Sequence, residues 1–318
     1  MIHGVSIPLS RRTLPAPDGP TVEMVLDTDT FNEIDDQFAL SYALLSPDRV
    51  TVRAILAAPF VNHLSGSAEE GMLKSLDEIS QVYARLNRAI AAPSFEGARR
   101  WMKDAGGPVR SPAAVQLIEL AMARKPDEAP LYVVGIGAPT NIASAILLQP
   151  EIKSRIVVVW LGGHPTGWHS ASEFNLLQDP PASRVLFDSG VPMVRVPCVN
   201  IAQKLRTSAA ELRAHLHGRN AVCDFLIERF EHYGVGEAAY RRRHHFDQPI
   251  VYGKEIWDVA AIACLIDSRW TPSVLVPSPI LTSELTWSID PRRHLTRELI
   301  DINRDFVFGD LFKKLAGV

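Results

Sequence analysis

The sequence predicts an α/β protein built as a single doubly wound, mostly parallel sheet with helices on both faces. Short apolar runs rich in β-branched residues recur along the chain, and they alternate with longer stretches of helical periodicity. The runs are also apolar throughout rather than alternately polar, as expected for strands covered on both faces. Helices placed between such strands return the chain for parallel pairing.

Taken in chain order, the first 20 residues read as a flexible N-terminal arm containing Pro15, Pro17, Asp18 and Pro20. Ser10-Arg11-Arg12-Thr13-Leu14 has the outline of a twin-arginine export signal, but the prolines occupy the place of the required apolar segment. One domain then spans residues 21–318. Its expected strands are 22–26, Val50 to Leu56, Leu131 to Val134, Ile156 to Leu161 and Pro192 to Val196. Its expected helices are Asp36 to Leu45, Gly71 to Leu86, Ala113 to Ala123, Asn141 to Leu148, Ala182 to Ser189, Ala209 to His217 and Asn220 to Tyr233. Glu237 to Tyr252 is polar and basic without periodicity and reads as a surface loop. No repeat, low-complexity tract or linker interrupts the pattern, which favours one compact domain.

The composition narrows the function classes. Of 318 residues, 47% are hydrophobic and 22% charged, an ordinary globular balance with ample chain for a large core. No apolar stretch approaches the ~20 residues that span a bilayer. The net charge of -3 gives no general attraction to nucleic acid or anionic lipid. The basic run Arg241 to His245 reads as a solvated face. Three widely spaced cysteines, Cys198, Cys223 and Cys264, form neither a disulfide framework nor a zinc motif, so a reducing cytoplasm is expected.

The most informative segment is residues 22–45, where an apolar run delivers Asp27, Asp29, Asp35 and Asp36 just before a helical stretch. Carboxylates within ~4–6 Å raise one another's pKa, so such a group stays ionised only if a cation or several donors share its charge. Oxygen-only ligands favour Ca²⁺ or Mg²⁺ over zinc. The competing reading is helix capping, but a cap needs one aspartate and not four. In a doubly wound sheet the site lies at the carboxyl ends of the strands, where these aspartates fall.

Three further segments follow strand ends. Gly135 to Asn141 contains two glycines but lacks the third glycine of a dinucleotide turn and is interrupted by Pro139, leaving an irregular backbone whose carbonyls suit a metal. Glu173-Phe174-Asn175 places a carboxylate and an amide on one side of an extended segment, where they suit sugar hydroxyls. Trp257-Asp258 opens an apolar helix. Asp258 is by default its cap and Trp257 a core aromatic, but beside a metal cluster they become a fourth ligand and a stacking surface.

These four motifs in this order resemble the nucleoside hydrolase family, the calcium-dependent N-ribohydrolases. The family's Asp-x-Asp then Asp-Asp appears as Asp27-Thr28-Asp29 and Asp35-Asp36, and its Gly-Pro-Leu-Thr-Asn segment resembles Gly137-Ala138-Pro139-Thr140-Asn141. Glu173-Phe174-Asn175 and Trp257-Asp258 complete the set, and Asp301 to Phe306 looks like the closing segment. The resemblance implies Ca²⁺ held by Asp29, Asp36, Asp258 and the Ile136 carbonyl, with Asp27 supporting the cluster. It implies that Asp35 binds the ribose 2′ and 3′ hydroxyls, and that Glu173 and Asn175 hold the outer hydroxyls. Asp29 would be the general base for a calcium-bound water that attacks the anomeric carbon, splitting a ribonucleoside into base and ribose. Stacking on Trp257 favours purine nucleosides, and a homodimer or homotetramer is expected.

Two departures stand out. The family places three residues between the second aspartate and the Asp-Asp pair, whereas here five intervene, Thr30 to Ile34, so the loop must bulge and Asn32 or Glu33 is expected to enter the site. An asparagine of the family's sugar site is replaced around Gly167, Trp168 and His169, and Asn62 after the second strand aligns ambiguously. The leaving-group acid is unassigned among His164, His169, His244 and His245. Two rivals remain. A haloacid dehalogenase-type phosphatase shares the initial Asp-x-Asp, but Phe31 stands where it wants a small hydroxyl or valine. A non-catalytic nucleoside or sugar sensor would keep the fold without turnover.

Overall fold

The computed structural model describes residues 13–86, 92–125, 128–243 and 253–317. Eight strands form the central sheet: β1 (Val22–Thr28), β2 (Val50–Ala57), β3 (Ser94–Phe95), β4 (Leu131–Gly135), β5 (Ile156–Leu161), β6 (Met193–Val196), β9 (Ser273–Pro277) and β12 (Leu295–Leu299). Their spatial order is β3-β2-β1-β4-β5-β6-β12-β9. All pairs are parallel except β12 with β9 at one edge. Two small antiparallel ribbons flank it, β7 (Arg206–Ser208) with β8 (Gly253–Glu255), and β10 (Ile280–Leu281) with β11 (Trp287–Ser288).

The helices are α1 (Asp35–Leu44), α2 (Ala68–Arg85), α3 (Met102–Ala105), α4 (Pro112–Met122), α5 (Thr140–Leu148), α6 (Phe174–Gln178), α7 (Pro180–Asp188), α8 (Ala209–Leu216), α9 (Ala221–Arg243), α10 (Val259–Ile266) and α11 (Arg304–Ala316). Successive strand residues point to opposite faces, and the core divides accordingly. Met24, Leu26, Val134, Val157 and Val159 pack with α1, α2 and α8 to α11 on one face. Val25, Val133, Val158 and Trp160 pack with α4, α5 and α7 on the other. All these strand residues are buried, which is why the strands read as unbroken apolar runs.

From β1 the chain winds outward through β2 and β3, then returns to β1's other side for β4, β5 and β6. The carboxyl ends of β1 and β4 therefore border the topological switch point, where neighbouring connections leave in opposite directions and open a crevice. Asp27 and Thr28 still belong to β1, and Asp29 is the first residue beyond it.

The structure differs from the sequence expectation in three places. Residues 237–243, expected in a surface loop, extend α9, while 244–252, including His244 and His245, lie outside the described residues. Glu173 to Asn175 is not one extended segment: Glu173 is extended, with φ -119° and ψ 159°, and caps α6, which begins at Phe174. The carboxylate starts the helix by accepting from the N–H groups of Asn175 and Leu176. Of the expected N-terminal arm, residues 13–20 are held on the body: Arg49 donates to the carbonyls of Ala16 and Gly19, and Arg297 to the Thr13 hydroxyl. Among the described residues no helix is long and apolar enough to cross a membrane, and all three cysteines are free.

Candidate active site

The crevice at the switch point holds a cleft of about 320 Å³, within the range that encloses a small organic ligand. Its lining includes Asn32, Asp35, Ile136, Glu173, Asn175, Trp257 and Asp258. The segments after β1, β4 and β5 and the turn before α10 meet there, although they are more than 200 residues apart in sequence at the extremes.

Carboxylates of Asp35, Asp36 and Asp258 converge, with one oxygen of each lying within 4.8 Å of the others. Asp29 adjoins them, and its carboxylate rests against Gly137: a Cβ there would stand 3.0 Å from Asp29 Cγ, so glycine lets the β4–α5 loop close on this residue. Capping does not account for the group. Neither α1 nor α10 receives a side-chain cap bond, although Asp35 and Asp36 open the first and Asp258 immediately precedes the second. By contrast, Ser67, Ser111, Ser208 and Asn303 do cap their helices.

All five aspartates are buried. Burial is the largest effect raising the pKa of each, reinforced at Asp29, Asp36 and Asp258 by repulsion from neighbouring aspartates and at Asp35 by Glu33; Asp35 is pushed up to about 6. Thr28 donates to Asp36, and Asn141 reaches Asp27 at 3.5 Å while bridging to the Ala57 carbonyl at 3.2 Å. Among the described residues, neither carboxylate oxygen of Asp29 nor Oδ2 of Asp27 has a hydrogen-bond partner in another residue. A buried, unpartnered carboxylate is costly unless a cation shares its charge. The orphaned oxygens and the all-oxygen donor set therefore fit a hard divalent cation.

The electrostatics imply a pH dependence. A carboxyl whose folded pKa lies above its unfolded value of 3.8 loses stability as pH rises through the folded value. For Asp35 alone a rise to about 6 corresponds to a loss on the order of 3 kcal/mol once fully ionised. In chelator, thermal stability should therefore fall from pH 4 to pH 7.5. The stabilisation by an added divalent cation should grow over the same interval, because carboxylate ligands must be deprotonated to bind it. A chelated protein whose Tm is flat across this range would contradict this.

The remaining expected residues surround the cluster. Asn175 Nδ2 donates to the carbonyls of Ile136 (3.1 Å) and Leu161 (3.0 Å), leaving its Oδ1 as an acceptor for a ligand. The Ile136 carbonyl keeps a second lone pair. Glu173 accepts from the N–H groups of Gly163, Asn175 and Leu176. Three of its roughly four acceptor positions are thus used, and one remains for a hydroxyl. Trp257 is partly buried, packed against the main core while lining the cleft. His164 also lines the cleft, its pKa lowered chiefly by burial. His169 is exposed beside Trp168.

Sequence reasoning anticipated that Asn32 or Glu33 would enter the site, and both line the cleft. Asn62, ambiguous in sequence, donates to the Asn32 backbone carbonyl and side chain, pinning the lengthened loop. Lys254 was missed. Its ammonium pairs with Glu33, and Tyr233 donates to the same carboxylate at 3.4 Å. Cys198 and Ser172 complete the wall near Glu173.

Comparisons with known proteins identify the chain's family and its relatives. Residues 24–304 match the family model described as inosine-uridine preferring nucleoside hydrolase. The chain is 31% identical over 204 residues to an inosine-uridine preferring nucleoside hydrolase of Leishmania major, covering 61% of each chain. It is 34% identical over 113 residues to a pyrimidine-specific ribonucleoside hydrolase, RihA, of Shewanella woodyi, covering 34% of this chain and 36% of that one. The aligned part is thus less than two thirds of either relative's length. A plant nucleoside hydrolase structure superposes with a TM-score of 0.71 at 18% identity, covering 94% of this chain and 100% of that one, which shows a shared fold. With most of its length matched by the family model and its acidic cluster at the switch point of the same fold, this chain belongs to the inosine-uridine preferring nucleoside hydrolase family.

Proposed function

We propose that this protein hydrolyses the N-glycosidic bond of ribonucleosides to free base and ribose, with purine nucleosides preferred. The observation that carries the reading is the buried, orphaned Asp29 carboxylate beside Asp35, Asp36 and Asp258 at the end of a nucleoside-sized cleft. Family membership supports the reaction class. Asp29, Asp36, Asp258 and the Ile136 carbonyl would hold one Ca²⁺, with Asp27 supporting them. When bound, the ion supplies Lewis-acid polarisation and positive charge to a site otherwise too acidic to stay ionised.

The chain's own groups do the rest. Asp29 accepts the proton of the water that attacks the anomeric carbon. Asp35 binds the 2′ and 3′ hydroxyls, and its negative charge favours the oxocarbenium character that the sugar develops. Glu173 and Asn175 each have one acceptor position left for the outer hydroxyls. The indole of Trp257 offers a face on which the base stacks as it departs.

The test is release of reducing sugar from a nucleoside panel, with calcium or a chelator, for wild type and Trp257→Ala. Wild type should release ribose only with calcium. The variant should lose more activity on inosine and guanosine than on uridine, roughly 10-fold for an interaction of about 1.4 kcal/mol. If Trp257 serves only the core, all substrates should fall alike with a Tm decrease reflecting ~3–5 kcal/mol. Phosphate release from sugar phosphates without base release would favour the phosphatase alternative. Nucleoside binding without ribose release would leave a sensor.

A further inference from the structure

Glu33 lies in the lengthened loop between Asp29 and Asp35, and it lines the cleft with its side chain 31% exposed. Its carboxylate is oriented from behind. Lys254 pairs with Oε2 at 2.5 Å, and Tyr233 donates to Oε1 at 3.4 Å. Lys254 is itself held over the Tyr233 ring, 4.9 Å from its centroid. Lys254 lies in β8, three residues before Trp257, and the intervening Ile256 is tied by its N–H to the Leu205 carbonyl at 2.8 Å. Glu33 and Trp257 line the same cleft as Glu173 and Asn175, so the ion pair holds the Glu33 carboxylate in the wall of the site that would take the nucleoside.

An ionised carboxylate only accepts hydrogen bonds, and about two of its four positions are free here. Among common bases, guanine alone presents two adjacent N–H donors, N1–H and the 2-amino group. Hypoxanthine sets its one ring N–H between a carbonyl oxygen and a C–H, uracil sets its own between two carbonyl oxygens, and adenine and cytosine set an amino group beside a ring-nitrogen acceptor. None of these offers the carboxylate two adjacent N–H donors, and uracil, adenine and cytosine turn a lone pair toward it as well. We propose that Glu33, held by Lys254 in the cleft that Trp257 also lines, is a specificity-determining residue that selects the guanine-type edge. The inference rests on the reading that the cleft takes nucleosides and deepens it.

The experiment compares guanosine, inosine, which lacks the 2-amino group, and 1-methylguanosine, which lacks N1–H, on calcium-loaded wild type and Glu33→Gln. Both kcat/KM for base release and the dissociation constant by calorimetry are measured. Wild type should favour guanosine over each analogue by about 10- to 100-fold, as expected for hydrogen bonds to a charged group. A glutamine offers one acceptor and one donor, which suits the N1–H and O6 edge of inosine, so Glu33→Gln should shift the preference toward inosine. The wild-type comparison stands even if the variant folds poorly. Equal kcat/KM and equal affinity for guanosine and inosine in wild type would overturn the Glu33 assignment while leaving the hydrolase reading intact. Tighter guanosine binding without turnover of any nucleoside would overturn the hydrolase reading and uphold Glu33.

Discussion

Asp29→Asn is expected to lower kcat by about 10³-fold or more while leaving the far-UV spectrum and cooperative unfolding unchanged. General-base assistance contributes roughly 10²- to 10⁴-fold, and an amide at this position cannot take the proton from water. Two features single out Asp29 within the cluster. Both of its carboxylate oxygens lack partners, whereas Asp36 is engaged by Thr28 and Asp27 by Asn141. Its pKa is raised well above the ordinary carboxylate range by burial and by Asp36 and Asp35, so a cation beside it is what would keep it ionised and able to take a proton. Because the substitution also removes a charge from the site, calcium affinity must be measured alongside, and kcat compared at saturating metal. Near-normal turnover under those conditions would move the base to another carboxylate. Glu33 would be the first alternative, since it lines the cleft.

Much of this architecture was legible because the central strands are buried on both faces. β1, β2, β4, β5 and β6 carry long apolar stretches, and their expected spans lie within two residues of those observed. The remainder was hidden for physical reasons. β3, β10 and β11 have two residues each, and β7 and β8 have three, too few to show any period. β12 was masked by its chemistry: Glu298 within it forms a buried ion pair with Arg195 of β6, whose side chain is only 1% exposed, so a core strand reads as polar. The same pair anchors the segment after β5, with Arg195 donating to the His164 carbonyl and the Thr166 hydroxyl to Glu298.

The site divides in the same way. Asp27, Asp29, Asp35 and Asp36 were legible because one strand end and one helix start deliver them together, and Trp257-Asp258 because the pair opens a strongly apolar helix. Asn141 was visible only as part of a turn. Its role as a buried hub, reaching Asp27 and the Ala57 carbonyl and accepting from Ala98, depends on the β1–β2 junction and had no local signature. Lys254 was illegible because β8 was illegible. Its partner Glu33 lies 221 residues away, and only the folded ribbon of β7 with β8 brings the two together.

Asp258→Ala should produce two opposite shifts in stability, and their signs test the metal assignment directly. With calcium, the variant should bind the ion at least about 100-fold more weakly, since losing even outer-shell partners of a metal site costs 10- to 100-fold. The calcium-dependent rise in Tm should accordingly shrink toward zero. In chelator at pH 7.5 the order should reverse, with the variant more stable than wild type. Asp258 is buried, it is repelled by Asp35, Asp36 and Asp29, and removing it relieves that repulsion among the survivors. A relief of ~1–2 kcal/mol corresponds to a Tm increase of a few degrees in a protein of this size. No cap is lost in exchange, because the Asp258 side chain makes no capping bond to α10. If Asp258 instead served only to begin that helix, its removal would cost about 1 kcal/mol, lowering Tm equally with and without calcium and leaving metal affinity unchanged. Calorimetric titration with calcium and thermal melts in both buffers separate the outcomes. A variant that binds calcium like wild type would remove Asp258 from the ligand set and leave the site to Asp29, Asp36 and the Ile136 carbonyl, too few ligands to offset their own burial.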